Sequence, residues 1–112
     1  MLAVPAEIED SDYTSNIDVL LNNSVKLYCS AGGLPRPSVS WYLDESALVP
    51  VDNGTDGVYV LDDGWTLLIE GAQLIHAGRY LCRAVNVAGD DRKLFNLTVL
   101  GQSPVCCCIR AD

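Results

Sequence analysis

Cysteine is the residue type in this chain with the widest range of possible chemistry, and its five copies are unevenly placed. Cys29 and Cys82 stand alone, whereas Cys106–Cys108 form an uninterrupted run near the end of the chain. A thiol can form a disulfide, ligate zinc or act as a nucleophile. Three consecutive cysteines cannot converge tetrahedrally on a zinc ion, and adjacent cysteines bridge each other only with strain. An odd cysteine count in an extracellular module indicates an intermolecular bridge or a free thiol.

Other residues suited to catalysis or metal binding are few. His76 is the single histidine, and no serine or carboxylate pattern around it reads as a catalytic triad. The pair Gly32-Gly33 precedes Leu and Pro rather than a helix, so it does not indicate a phosphate-binding loop. Four carboxylates between Glu7 and Asp12 could bind Ca²⁺, but no twelve-residue calcium loop surrounds them, which favours a solvated acidic turn. We therefore predict that the protein is not an enzyme and holds no cofactor or metal.

Three N-x-[S/T] sequons begin at Asn22, Asn53 and Asn96. Glycosylation of such an asparagine requires exposure in a secreted protein. Asn53 lies in a polar segment and is the best candidate, Asn22 occupies a turn, and Asn96 lies on the outward side of a strand, which is a poorer substrate. The alternative is that these are ordinary surface asparagines, because so short a motif often arises by chance.

Length and charge limit the class of protein. A chain of 112 residues suits one domain whose core buries roughly 60–70% of the surface exposed by the unfolded chain. The net charge of −8 argues against partners such as nucleic acids or anionic membranes, which require clustered Lys and Arg. No apolar run approaches the roughly 20 residues of a spanning helix, so we expect no direct membrane insertion. The first five residues do not resemble a signal peptide.

Apolar residues alternate with polar ones between turn signals, which predicts an all-β sandwich of about eight short strands without helices. The glycines and prolines between Gly32 and Pro37 are expected to break the chain, and residues 86–91 are expected to form the turn before the last strand. The predicted strands cover Val4–Ile8, Ile17–Leu21, residues 25–29, residues 39–43, a short irregular strand within Asp44–Asp56, Val58–Leu61, Trp65–Ile69, residues 80–84 and residues 95–99. Leu67 is among the residues predicted to face the core.

Two stretches of the chain resemble I-set immunoglobulin domains. Residues 27–41 look like the B and C strands of that family, and Ala77–Gly89 matches the pattern A-G-x-Y-x-C-x-A-x-N-x-x-G. The resemblance implies an immunoglobulin-like β-sandwich of two antiparallel sheets with Greek-key connections. Residues 4–100 are then the I-set domain, residues 1–3 an expression remnant or linker, and residues 101–112 a flexible tail outside the domain.

The same resemblance implies a structural role for four residues. Cys29 and Cys82 would form the disulfide between the sheets, Trp41 would pack on that disulfide, and Tyr80 would hold a corner of the fold. A disulfide implies an oxidising compartment, so we expect an extracellular location and a longer secreted parent protein. The tail containing Cys106–Cys108 is then an expression remnant, an alternative transcript end, or a flexible tail that forms intermolecular disulfides.

The ends of the domain resemble the tandem modules of hemicentins, which are giant extracellular-matrix proteins. One departure is that His76 and, by alignment, Tyr59 replace an Asp and an Arg that form an ion pair in the family. Since both partners are absent together, neither charge is left alone. A contact between His76 and Tyr59 with mild pH sensitivity is one interpretation, and an exposed corner histidine is the simpler one.

The resemblance predicts a non-catalytic extracellular module for cell–matrix or cell–cell adhesion, with anchorage of cells to basement membranes as the role of the parent. The alternatives are a ligand-recognition module of a signalling or guidance receptor, and an intracellular muscle-type I-set domain with reduced thiols. The expected partners are other protein modules, either neighbouring immunoglobulin domains or matrix and cell-surface proteins. Outward residues that could contact them are Tyr42, Leu48, Val49, Tyr59, Trp65, Arg36, Arg79 and Arg83.

Overall fold

A computed structural model describes residues 2–44, 46–48 and 57–101, with the backbone alone for 46–48. Val49, Asn53 and the tail from 102 to 112, including Cys106–Cys108, lie outside the described residues, as does the side chain of Leu48. The strands are β1 Val4–Ile8, β2 Ser15–Leu20, β3 Val25–Tyr28, β4 Ala31–Leu34, β5 Ser38–Leu43, β6 Ser46–Leu48, β7 Val58–Leu61, β8 Thr66–Ile69, β9 Gly78–Asn86 and β10 Gly89–Leu100. Short 3₁₀ turns cover Asp62–Gly64 and Leu74–His76.

The strands form two main sheets. One has the order β2-β10-β9-β5-β6, and the other has the order β3-β8-β7. Strand β1 pairs separately with β4, and the pairing of β2 with β10 is parallel whereas the other pairings are antiparallel. The predicted immunoglobulin-like β-sandwich is confirmed. In the part of the chain that the structure describes, no helix is long and apolar enough to cross a membrane.

Alternation along each strand builds the core between the two sheets. The side chains of Leu27, Leu67 and Ile69 enter it from the three-stranded sheet, and those of Trp41 and Phe95 enter it from the five-stranded sheet. Each large apolar side chain buried in this way stabilises the fold by about 1.5–3 kcal/mol. The sandwich therefore holds its outward faces on a rigid framework.

Two local predictions were wrong. The segment that was expected to break the chain forms β4, because β1 offers it an edge and pairs Ile8 with Ala31. Gly33 suits this strand because its φ is 148°, and a Cβ there would lie 2.9 Å from the Asn86 side chain. The predicted turn at 86–91 is shorter than expected, because the β9–β10 ladder continues until Gly89 pairs with Asn86.

Candidate binding face

A disulfide between Cys29 and Cys82 joins the two sheets at the centre of the core. The two Cα atoms are 6.5 Å apart, and both side chains are fully buried. Trp41 is also buried, and its Nε1 donates a hydrogen bond to the Gly64 carbonyl at 2.6 Å. The Trp41 ring lies 5.6 Å from that of Phe95 at an angle of 34°. This arrangement consumes both thiols in the bridge, so neither is available as a nucleophile.

Tyr80 anchors the corner that precedes β9. Its buried hydroxyl donates a hydrogen bond of 2.6 Å to the carbonyl oxygen of His76. Burial, with a smaller contribution from the charge of Asp44, raises the pKa of Tyr80 to about 12. The phenol is thus held in its neutral, donating form.

The simpler interpretation of His76, an exposed corner residue, was wrong. Its side chain is only 4% exposed. Nδ1 accepts a hydrogen bond of 2.8 Å from the backbone amide of Gln73, so the ring caps the 3₁₀ turn to which it belongs. His76 therefore has a structural role at this corner, since its ring caps the 3₁₀ turn and its own backbone carbonyl accepts the hydrogen bond from Tyr80.

Asn86 connects three segments that are distant in sequence. Its Oδ1 accepts hydrogen bonds from the amides of Ala6, Ala88 and Gly89, at 3.2, 3.0 and 3.1 Å. Its Nδ2 donates to the carbonyls of Val4 and Pro35 at 2.7 and 3.0 Å. One side chain thereby fastens β1 and the β4–β5 loop to the β9–β10 hairpin.

The acidic turn between β1 and β2 encloses a cation of the protein itself. Lys93 is 4% exposed, and its Nζ donates to the carbonyls of Asp10 and Tyr13 at 2.7 and 2.8 Å. The ammonium group also lies 4.4 Å from the centre of the Tyr13 ring, close enough for a cation–π contact. Among the described residues, no group of three or more acidic, His or Cys side chains is placed to hold a metal ion.

Asp91 supports the same region from β10. Burial alone would raise the pKa of its carboxyl group. Hydrogen bonds from the Ile8 amide, the Ser11 side chain and the Arg92 amide outweigh that effect and hold the pKa below its usual value. The carboxylate therefore stays ionised and ties β1 to β10 through the 2.8 Å bond from the Ile8 amide.

Two of the three sequon asparagines lie among the described residues. Asn22 is exposed in a turn at a φ of 72°, and its Oδ1 accepts a hydrogen bond from Gln73 at 2.8 Å. Asn96 is half-buried on the outward face of β10, where its Nδ2 donates to Asn16 at 3.1 Å. A glycan on Asn96 would be attached to the nitrogen that donates to Asn16, whereas Asn22 makes its hydrogen bond with Gln73 through the oxygen that glycosylation leaves in place.

The outward face of the five-stranded sheet carries a depression of about 550 Å³. Its floor is a row of apolar side chains, because the ladders place Tyr42 beside Leu81 and Leu81 beside Leu94. All three are half-buried. We call this row and its bordering arginines, Arg79, Arg83 and Arg92, the arginine face.

The arginines lie on both sides of the apolar row. Arg79 and Arg83 are two residues before and after Leu81 on β9, and Arg92 pairs with Arg83 across the ladder. Arg83 Nε lies 3.2 Å from a carboxylate oxygen of Asp90. Within the described residues, the guanidinium groups of Arg79 and Arg92 make no ion pair, and both residues are exposed.

The remaining predicted contact residues lie elsewhere. Tyr59 and Trp65 are half-buried on the side of the three-stranded sheet. The Arg36 guanidinium lies 4.9 Å from the centre of the Trp65 ring and 3.8 Å from the Asp63 carboxylate. The structure therefore brings Tyr42, Arg79 and Arg83 together and separates them from these other candidates.

Sequence reasoning missed Lys93, Leu94 and Arg92 as members of these sites. The alternation of side chains along β10 could have found all three. Lys93 lies on the same inward side as Phe95, and its neighbours Arg92 and Leu94 lie on the outward side. The multiple hydrogen bonds of Asn86 carry no local signal beyond its place in the matched family pattern.

Comparison with known proteins agrees with this geometry. The family described as the immunoglobulin I-set domain matches residues 11–99. The chain is 40% identical to hemicentin-1 of Mus musculus over 96 residues, which is 86% of this chain and 2% of hemicentin-1. It is 38% identical to a vascular endothelial growth factor receptor kdr-like protein of Danio rerio over 88 residues, which is 79% of this chain and 6% of that receptor. The chain thus spans a small part of these relatives.

Solved structures resemble the fold closely. Extracellular domains 3–5 of Drosophila OTK give a TM-score of 0.73 at 29% identity, covering 87% of this chain and 32% of that one. A complex of titin M10 with an obscurin-like 1 immunoglobulin domain gives a TM-score of 0.73 at 27% identity, covering 88% of this chain and 97% of that one.

Proposed function

Since this chain belongs to the immunoglobulin I-set domain family, we propose that it is a non-catalytic extracellular module for cell–matrix or cell–cell adhesion. In this proposal it is one disulfide-stapled link of a multi-domain matrix protein that anchors cells to basement membrane. The similarity to hemicentin-1 supports a matrix parent, and the resemblance to the OTK extracellular domains supports an extracellular location. Residues 4–100 are the proposed folded unit, and residues 101–112 its tail.

The buried disulfide is the observation that carries the proposal. It closes a loop across 53 residues and so stabilises the fold by about 4 kcal/mol on the chain-entropy account. Against a total of about 5–15 kcal/mol, this is a large share, and it is present only where thiols are oxidised. A link in an extended array also gains from it, because the loop between Cys29 and Cys82 cannot be pulled out.

Force spectroscopy tests the link directly. The full chain is placed between well-characterised marker domains and is unfolded with and without a reductant. At about 3.5 Å for each extended residue, opening the 53-residue loop should lengthen the unfolding step by about 180 Å. The variant Cys29→Ala/Cys82→Ala should give the long step under both conditions. A long step from the untreated protein would contradict a stapled link.

An adhesion assay tests the second half of the proposal. The chain is secreted from cultured animal cells, its Cys29–Cys82 linkage is verified by non-reducing peptide mapping, and it is added to cell-laid matrix. We expect the folded chain to be retained and the heat-unfolded chain to be washed away. Equal retention of the two, or none of either, would overturn the adhesive role. If Cys29 and Cys82 were reduced in protein from its native source, that result would instead favour the alternative of an intracellular muscle-type I-set domain.

A ligand-recognition module of a receptor is the second candidate. The arginine face favours it, because aromatic and arginine residues are enriched among those that anchor interfaces. The similarity to the kdr-like receptor supports the same view. Extending the parent sequence by about two domains distinguishes the candidates, since a receptor would show a membrane span and a matrix protein would show further modules.

We also propose that the sequon asparagines carry glycans in the secreted protein. Asn22 is supported by its exposed turn, and Asn96 is the weaker candidate because its amide is paired with Asn16. Asn53 lies outside the described residues and remains a prediction from its sequon. Glycopeptide mass spectrometry of secreted protein, with Asn22→Gln as the control, should find higher occupancy at Asn22 than at Asn96. Occupancy of Asn96 equal to or above that of Asn22 would contradict this order, and no glycan at any of the three sequons would contradict the proposal.

A further inference from the structure

We propose that the arginine face binds an acidic segment of another protein, with an apolar side chain of that segment seated on the Tyr42–Leu81–Leu94 row. The inference rests on the proposed role in adhesion or recognition and adds to it the surface used and the chemistry of the partner.

The shape of the face suits a short side-chain anchor. Tyr42, Leu81 and Leu94 occupy adjacent positions on three hydrogen-bonded strands, so the apolar row is continuous and its position is fixed by the ladders. The depression of about 550 Å³ falls within the range of sites that accept a small ligand or a large side chain. An aromatic or leucine side chain seated there would exclude water from all three residues.

The charge around the row selects the partner. The chain has a net charge of −8 and seven Lys and Arg residues in all, yet three of the seven lie on this face. Arg79 and Arg92 have no ion pair among the described residues and stand on opposite sides of the apolar row. A segment with carboxylates on both sides of an apolar residue would meet both guanidinium groups at once, and each contact could be bidentate.

Two acidic residues limit how far the negative charge of a ligand can extend. Asp44 borders the depression beside Arg79, whose amide it binds at 3.0 Å, and Asp90 lies beside Arg83. A long uniform polyanion such as a sulfated polysaccharide would place negative charge against both carboxylates and be repelled by them. A protein segment can place its few carboxylates between them. The face therefore favours an acidic protein over a polysaccharide.

Nuclear magnetic resonance of the isotope-labelled, unglycosylated full chain tests the proposal. The probe is the blocked peptide Asp-Glu-Phe-Glu-Asp, and the matched probe is Asn-Gln-Phe-Gln-Asn, which has the same shape and no charge. We expect saturable shifts of the amides of β5, β9 and β10 with the acidic peptide. The uncharged peptide should bind at least about tenfold more weakly, since a tenfold change corresponds to only two or three exposed ion pairs.

Charge-reversal variants locate the site. Arg79→Glu/Arg92→Glu should lower the affinity for the acidic peptide by at least about tenfold. The matched variant Lys26→Glu/Arg36→Glu makes the same change of net charge away from the arginine face and should bind within about twofold of the original chain. Unchanged spectra elsewhere will show that both variants are folded.

Three outcomes would overturn the proposal. The acidic peptide could leave β5, β9 and β10 unshifted, the two variants could lose affinity equally, or a heparin oligosaccharide could shift the face at concentrations where the peptide does not. The last outcome would assign a polysaccharide to the face. None of these results bears on the adhesion and force measurements. Failure of the proposed binding site is therefore distinguishable from failure of the proposed function.

Discussion

Asn86→Ala should be the most damaging substitution of a partly exposed polar side chain in this domain. It removes the hydrogen bonds of the side chain with the amides of Ala6, Ala88 and Gly89 and with the carbonyls of Val4 and Pro35. The bonds from Ala6 and Gly89 are partly buried, so these two amides lose a partner that water replaces poorly. The other three groups are exposed and can bind water instead.

The expected loss follows from those two classes of bond. A donor left without a partner costs about 1–3 kcal/mol when fully buried, so each of these two partly buried amides should cost about 1 kcal/mol or slightly more, and each of the three exposed bonds contributes about 0.5 kcal/mol or less after water replaces it. We therefore expect the free energy of unfolding to fall by about 2–4 kcal/mol, out of a total of about 5–15 kcal/mol. For a domain of this size that corresponds to a fall in Tm of about 10–25 °C.

Urea unfolding of the oxidised chain, followed by tryptophan fluorescence with the tail thiols alkylated, measures the loss. The control is Asn96→Ala, which removes one exposed amide pair with Asn16 and should cost less than about 0.5 kcal/mol. Asn86→Asp keeps the accepting oxygen but sets a carboxylate against the carbonyls of Val4 and Pro35, so it should also destabilise. An Asn86→Ala value within about 0.5 kcal/mol of the control would refute the reasoning.

Three further predictions concern the core and its edges. Lys93→Met should lower the free energy of unfolding by about 1–3 kcal/mol, because two carbonyls lose their donor, while Lys26→Met on the exposed side of β3 should change it by less than about 0.5 kcal/mol. Because the folded state raises the pKa of Tyr80 from 10.0 to about 12, its stabilising contribution is complete below pH 10 and is lost as the pH rises towards 12. Tyr80→Phe should remove that part of the slope in a plot of stability against pH. Cys29→Ala/Cys82→Ala should lower the urea midpoint by an amount equivalent to about 4 kcal/mol, and a midpoint unchanged from that of the oxidised chain would contradict the entropic account.

The core could be predicted from the sequence because burial leaves a strong local pattern. Leu67 and Ile69 lie on the inward side of β8 as predicted, and the strands predicted at Val58–Leu61 and Trp65–Ile69 form a hairpin, β7 and β8, around Asp62–Gly64. Strand β4 escaped prediction for the opposite reason. Its residues are mostly glycine and small, so the pairing is decided by the edge of β1 and by the room beside Asn86, neither of which is local in sequence.

The buried Lys93 shows a second limit of pattern reading. A lysine is usually taken as a solvated residue. Lys93 lies two residues before Phe95 on β10, so it points to the same inward side. The turn between β1 and β2 provides two carbonyls for its ammonium group. The burial is stable because the charge is hydrogen-bonded and lies against an aromatic ring, and these partners are 80 or more residues away in sequence.

Predicting the arginine face requires the register between neighbouring strands, which the alternation of apolar and polar residues does not give. Tyr42, Arg79 and Arg83 could be proposed as outward residues from the sequence, but nothing local says that they converge. A shift of one residue between β9 and β10 would move Leu94 into the core and bring Lys93 or Phe95 to the surface. The contact of Trp41 on β5 with Phe95 on β10 favours the observed register, because a shift of one residue would turn the Phe95 ring away from Trp41. The core and the arginine face thus depend on the same strand ladders, and the proposed partner would meet a side-chain spacing that the packing of the core fixes.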